Sequence, residues 1–427
     1  MNRLMLALAM LVVVVGGGCG RTMVATPTIY WHEGADPFAN TPEEFKTPTA
    51  EVLYITDRAR KDTEQKPVWY GFGRSKSQAY GTCEVKFGRD MTWEQLAEAS
   101  RGKSRSASVP LSIGTVTETG RLPAIGGFSF RMVDGQVVEI PEEAAERRRL
   151  QEEFLADLSD RVVKTTSGEV FLFVHGFHNE FQDPMFVTAQ LWHFLGRDSV
   201  PIAYTWPAGW KSPALLGMLF GYSYDRESGE FTVFHLKNVL RAIASCPDVK
   251  KIHLIAHSRG TDVLTTALRE LNIHYTAAGK DTGEELKLGS LILAAPDLDM
   301  EVFSQRIGAE RLPAVPERFT VYVSRGDGAI GMSDFLFKSK TRLGKLKYAD
   351  LDEAQREAMK GFADVNVVNV TAHTKGPGHS YFYDNPSVLS DVILTMRGRA
   401  PGEQTGRPLT LEGVPFWTLN EGYLSPE

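Results

Sequence analysis

Lys251-Ile252-His253-Leu254-Ile255-Ala256-His257-Ser258-Arg259-Gly260, followed at once by Thr261-Asp262-Val263-Leu264, is the stretch from which the rest of the chain can be read. The first residues form a strand-like apolar run, the last take helical spacing, and small-x-Ser-x-Gly lies between them. A strand-to-helix turn this tight leaves no room for bulk two residues before or after the serine. Ala256 and Gly260 meet that demand. Such an elbow lifts the Ser258 hydroxyl above the sheet edge, where an imidazole can take its proton and a helix N-terminus can support an oxyanion.

Upstream, Val170-Phe171-Leu172-Phe173-Val174 runs into His175-Gly176-Phe177. A loop after such a strand supplies the second oxyanion donor, so the backbone N–H groups of Phe177 and Arg259 are the expected oxyanion hole, with Gly176 letting the loop turn close to Ser258. Short apolar runs continue at Glu169 to Val174, Pro201 to Thr205, Lys251 to Ala256, Leu288 to Ala295, Phe319 to Ser324 and Val365 to Val370. Helical patterns separate them at Pro184 to Leu195, Phe231 to Ala244, Thr261 to Leu271 and Ser387 to Met396. This alternation predicts a mostly parallel central sheet with helices on both faces. Ahead of it, the strand-like runs Glu51 to Thr56 and Gly81 to Phe87 and an amphipathic helix over Glu142 to Asp160 form a β-rich extension.

In sheets built on such an elbow the acid and then the base follow the serine in chain order. Asp327, after the run ending at Ser324, is the expected acid, and His379, at the end of a glycine-containing loop, the expected general base. Asp297 and Asp299 compete for the acid's role, and with Glu301 they suggest a metal site. Three carboxylates without a histidine more often cap a helix or sit in water. His373 shares the loop of His379, while His175, His178 and His257 flank the site as local hydrogen-bonding groups. His175, His257 and Trp206 are candidate pocket residues. Trp206, Trp210 and Leu215 to Phe220 read as either an acyl pocket or lid, or as core. Arg259 either attracts acidic substrates or makes an ion pair on its helix, and the ion pair is the expectation.

The 427 residues carry 47 Lys and Arg against 53 Asp and Glu, a net charge of −6, which excludes a basic nucleic-acid binder. At 42% hydrophobic, material for a core is ample, and a multi-span membrane protein is excluded. Arg3, the apolar run Leu4 to Val15 and Gly16-Gly17-Gly18-Cys19 resemble a bacterial lipoprotein signal, with an ordinary secretory signal cleaved nearby as the alternative. The expected division is a signal over 1–18, a lipidated Cys19 with a flexible tether over 19–50, one α/β domain over 51–400 (extension 51–165, catalytic core 166–400) and a tail over 401–427. A lipid anchor implies a membrane partner and a place in the cell envelope. In a Gram-negative host, Gly20 favours the outer membrane facing the periplasm. Cys83 and Cys246 are expected as buried free thiols rather than a disulfide. Neither a phosphate-binding glycine loop nor a His/Cys ligand spacing occurs, so neither cofactor nor metal is expected.

Several motifs together resemble a bacterial α/β-hydrolase family of largely unassigned function, placed in the esterase/lipase superfamily. They are Tyr54-Ile55-Thr56-Asp57-Arg58, Tyr80-Gly81-Thr82-Cys83, Phe173 to Asn179, Thr205-Trp206-Pro207, Tyr222 to Arg226, Ala256 to Gly260, Ala295 to Asp299 and Gly378-His379-Ser380-Tyr381. The family often carries Met where Arg259 stands. The resemblance implies the α/β-hydrolase fold and a serine-dependent hydrolase; the substrate expected for such an enzyme on a lipid anchor is a small-molecule or lipid acyl ester. The competing expectation is an envelope lipoprotein that keeps the fold as a binding or scaffold module without turnover.

Overall fold

The computed structural model describes residues 22–124, 130–209, 215–324, 326–327, 343–346, 348–362, 365–371 and 378–426. Cys19, Trp210 and His373 lie outside them, as do the side chains of Leu215 to Phe220. In chain order come β1 (Thr49–Arg60), β2 (Tyr70–Phe87), α1 (Trp93–Ala99), β3 (Leu111–Arg121), β4 (Phe130–Val133), β5 (Gln136–Glu139) and α2 (Pro141–Val162). Then follow β6 (Glu169–Val174), α3 (Asp183–Leu195), β7 (Val200–Thr205), α4 (Leu215–Ser245), β8 (Lys251–His257), α5 (Gly260–Ala277), α6 (Thr282–Glu285) and β9 (Leu288–Ala294). The chain closes with α7 (Met300–Phe303), β10 (Arg318–Val323), α8 (Glu353–Met359), β11 (Val365–Val370), α9 (Tyr381–Asp384), α10 (Pro386–Met396), β12 (Thr410–Gly413) and β13 (Phe416–Leu419).

The main sheet has 11 strands in the order β12-β13-β11-β10-β9-β8-β6-β7-β1-β2-β3. From β1 through β7, β6, β8, β9, β10 and β11 to β13, neighbours pair in parallel, while β2 and β3 at one edge and β12 at the other run antiparallel. All of β9, and all but the first residue of β6, β8 and β10, are buried, as strands covered on both faces must be. One face takes α2, α4 and α5, through Phe154, Leu158, Leu236, Leu240, Leu264 and Leu268. The other takes α3 and α10, through Met185, Trp192, Val388 and Val392. In α2 the buried Phe154, Leu158 and Val162 recur every fourth residue, the spacing of one helical face. Gly196 ends α3 at φ 99°, a left-handed cap that glycine adopts without strain.

The expected α/β architecture with its N-terminal β-rich part is thus the observed one, and two boundaries need correcting. The segment expected to be a flexible tether instead packs on the body through spaced residues. Met23, Tyr30 and Phe38 are buried, the Thr28 and Ser390 hydroxyls are 2.8 Å apart, and Tyr30 Oη donates to Phe194 O at 2.8 Å. Thr and Pro concealed this because the contacts are made by single spaced aromatics and hydroxyls rather than by a period. The tail is likewise part of the sheet, since β13 pairs with β11. A fully buried Arg407 there grips Asp391 of α10 through Nε and Nη2, each at 2.8 Å, and Tyr423 Oη donates to the same carboxylate at 2.7 Å. Cys83 and Cys246 are free and buried.

Candidate active site

Because β6, β8, β9, β10 and β11 are neighbours and parallel, the loops at their C-terminal ends meet along one sheet edge. Ser258 stands in the turn after β8 with φ 52°, a left-handed conformation that costs a non-glycine residue roughly 1–3 kcal/mol. Its backbone holds it there: the N–H donates to Ala294 O at 3.0 Å, and the carbonyl accepts from Thr261 N at 3.1 Å and Thr261 Oγ1 at 2.6 Å. The turn leaves no space for a side chain at Gly260, where a Cβ would lie 2.3 Å from His175 O. At Gly176 a Cβ would lie 2.7 Å from Ser258 Cβ and 3.3 Å from Ser258 Oγ, so the loop after β6 closes directly against the serine.

Asp327, beyond β10, and His379, beyond β11, come together, with His379 Nδ1 2.7 Å from Asp327 Oδ2. The carboxylate is fully enclosed, while the His379 side chain keeps 19% of its surface open. Burial pushes the imidazole down, but the charge and hydrogen bond of Asp327, with the charge of Asp297, outweigh it and set His379 above its ordinary value. His379 also sits against the serine turn, since His257 Nε2 donates to His379 O at 2.9 Å and the two rings lie 4.6 Å apart.

Two of the flanking histidines, His175 and His257, are held neutral. Burial first, and then the charge of His379, push His257 well below its ordinary value; burial and the Arg58 guanidinium do the same to His175. His175 Nδ1 donates to Gly176 O at 2.8 Å and Nε2 accepts from Trp206 N at 3.0 Å. Trp206 is completely buried, stacks on His175 at 5.1 Å with an interplanar angle of 4°, and donates from Nε1 to His175 O at 2.7 Å. His178, at φ 59°, has its N–H on Asp225 Oδ2 at 3.0 Å. Asp299 caps α7, accepting from Glu301 N and Val302 N at 2.9 and 3.2 Å, whereas Asp297 is buried and its N–H reaches Ser258 O at 3.4 Å. Among the described residues no group of three His, Cys, Asp or Glu is arranged to hold a metal. Arg259 pairs with Asp262 at 2.8 Å, the ion pair expected on its helix.

Residue-type reasoning did not single out Arg58 or Asp225. Arg58 is buried at the end of the apolar part of β1, and its guanidinium reaches Thr205 Oγ1, Gly71 O, Ala208 O and Asn179 O at 2.8–3.1 Å. Burial lowers its pKa to about 10 against the pull of Asp225 and Asp57. The signal was present: Asp57-Arg58 follows directly on Val52 to Thr56, and charges in a buried strand are kept only when paired and hydrogen-bonded.

The profile of a protein family described as an alpha/beta hydrolase of unknown function (DUF900) matches residues 150–397, more than half of the chain. No curated protein matches it. The matched span contains Ser258, Asp327 and His379 and begins after Arg58.

Proposed function

Since the chain belongs to this family of α/β hydrolases of unknown function, we propose that it is a serine hydrolase of carboxylic esters with Ser258 as nucleophile, His379 as base and Asp327 as the acid that orients it. The observation that carries the reading is the 2.7 Å bond between His379 Nδ1 and the buried Asp327, made beside a serine held at positive φ. With Nδ1 committed to Asp327, Nε2 is the ring nitrogen available to the Ser258 hydroxyl.

The reaction then runs in two halves. Ser258 Oγ attacks the ester carbonyl carbon while its proton passes to His379 Nε2, and the oxyanion is received by the N–H groups of Phe177 and Arg259. Collapse breaks the bond to the alcohol oxygen, which takes the proton from His379 and leaves an acyl-enzyme. Water, deprotonated by His379, attacks that acyl carbon; the acid departs and the proton returns to Ser258. Asp327, bonded to Nδ1, orients the ring and stabilises the imidazolium. A lipid on Cys19 would tether the enzyme to a membrane of the cell envelope, where acyl esters of lipids are within reach.

Labelling of the purified full-length chain with a fluorophosphonate probe tests this without knowledge of the substrate. Wild type should be labelled, and Ser258→Ala and His379→Ala should both lose the signal. A folded wild type that takes no label refutes the hydrolase and leaves the fold as a binding or scaffold module.

A further inference from the structure

Building on the serine-hydrolase reading, we propose that Arg58 and His175 act as a positioning relay that fixes the Gly176–Phe177 peptide so that its N–H is an oxyanion donor. The carbonyl of Gly176 and the N–H of Phe177 belong to the same rigid amide and point in opposite directions. His175 Nδ1–H binds that carbonyl at 2.8 Å, so the imidazole sets the direction in which the Phe177 N–H points. A hydrogen bond accepted by the carbonyl also polarises the amide and strengthens its N–H as a donor.

This arrangement requires His175 in a single state, neutral with the proton on Nδ1. Two donors converge on Nε2: the Trp206 N–H at 3.0 Å and Arg58 Nη2 at 3.4 Å. A proton on Nε2 would face both, and the nearby guanidinium charge opposes an imidazolium. Arg58 also anchors the far end of the loop, donating from Nη2 to Asn179 O at 2.8 Å. Asn179 Nδ2 holds Phe177 O at 2.8 Å and Asp225 holds the His178 N–H, so successive peptides of the loop are each tied down. The flexible ammonium of a lysine could not replace the guanidinium, whose fork here spans β2, the segment after β7 and the loop after β6 at once. Arg58 comes from β1, ahead of the matched residues 150–397, so the N-terminal strands complete the site.

The test combines kinetics with a measurement that needs no turnover. Arg58→Lys and His175→Phe should lower kcat on p-nitrophenyl acetate roughly 10- to 100-fold, approaching the loss of one oxyanion donor. KM should stay within about twofold and near-UV circular dichroism should match wild type, a split that mere loosening of the fold does not produce. A folded variant with wild-type kcat overturns the relay. Imidazole 15N resonances of the wild-type chain, with His175 assigned by its loss in His175→Phe, should show Nδ1 protonated and Nε2 bare; a proton on Nε2 also overturns the relay. This spectrum reads the state of His175 whether or not Ser258 takes the label, so a failure of the relay is distinguished from a failure of the hydrolase reading.

Discussion

Replacing Asp327 by Asn probes the one contact on which the proposed chemistry depends. The carboxylate is fully enclosed and 2.7 Å from His379 Nδ1, so the bond is charge-assisted and barely screened by solvent. As Ser258 gives up its proton, His379 becomes an imidazolium beside that carboxylate. At an effective dielectric constant of about 20, opposite charges some 4 Å apart attract by about 4 kcal/mol. At 1.36 kcal/mol per decade this is about 10³ in kcat. Asp297 also raises His379, so part of the loss is offset and a fall of 10²- to 10³-fold is expected. The pH profile gives a second reading with a definite sign. The base works unprotonated, and Asp327 raises its pKa, so in Asp327→Asn the acidic limb of kcat/KM should move to lower pH. The assay is initial-rate hydrolysis of p-nitrophenyl acetate from pH 5 to 9, beside Asp297→Asn. A folded Asp327→Asn that loses less than tenfold while Asp297→Asn loses more would transfer the acid's role to Asp297 and refute the assignment.

Gly176→Ala should abolish fluorophosphonate labelling, at least 100-fold in rate, because its methyl would lie 2.7 Å from Ser258 Cβ and one of the two must move; labelling at wild-type rate would mean that the loop is free to withdraw from the serine. Stability should fall in acid. Burial holds His175, His193 and His257 well below their ordinary value, so the unfolded chain binds their protons first as pH drops past about 6.5, at about 1.4 kcal/mol per pH unit for each. His379, raised when folded, contributes with the opposite sign: its stabilisation is complete below its unfolded value and lost as pH rises through its folded one. Urea unfolding at pH 7.5 and 5.5 should therefore show a clear loss at the lower pH, and an unchanged midpoint would contradict the burial of neutral imidazoles.

Much of this was legible in the chain because buried parallel strands leave a strong signature. Glu169–Val174 and Val365–Val370 are apolar runs with turn residues around them, and their observed limits coincide with the expected ones. The elbow was equally readable, since its geometry forbids bulk at Ala256 and Gly260. Contacts made by isolated residues left no such pattern. The N-terminal segment docks through Tyr30, Phe38 and Thr28, and β13 joins the sheet after a stretch broken by Pro and Gly. The helix α4 was expected from Phe231 and begins at Leu215, because the intervening Gly, Ser and charged residues blur the helical period that packing sustains.

Roles among the histidines follow from environment rather than from residue type. His175 and His257 stand at the ends of the adjacent strands β6 and β8 and His379 in the loop beyond β11, and burial depresses each of them. Of the three, His379 has a carboxylate on its ring, and that of Asp327, with the charge of Asp297, reverses the sign of its shift. His257 instead spends its Nε2 proton on the backbone of His379, and His175 spends its Nδ1 proton on Gly176 O. An imidazole that must donate a fixed hydrogen bond makes a poor shuttle, and one poised beside a buried carboxylate makes a good one. Exchanging the surroundings should therefore exchange the roles. A carboxylate placed on His257 would raise its pKa, compete for its bond to His379 O and loosen the proposed base from the serine turn. This is a physical reason for an apolar side chain, Phe382, whose ring lies 4.8 Å away, to stand beside His257.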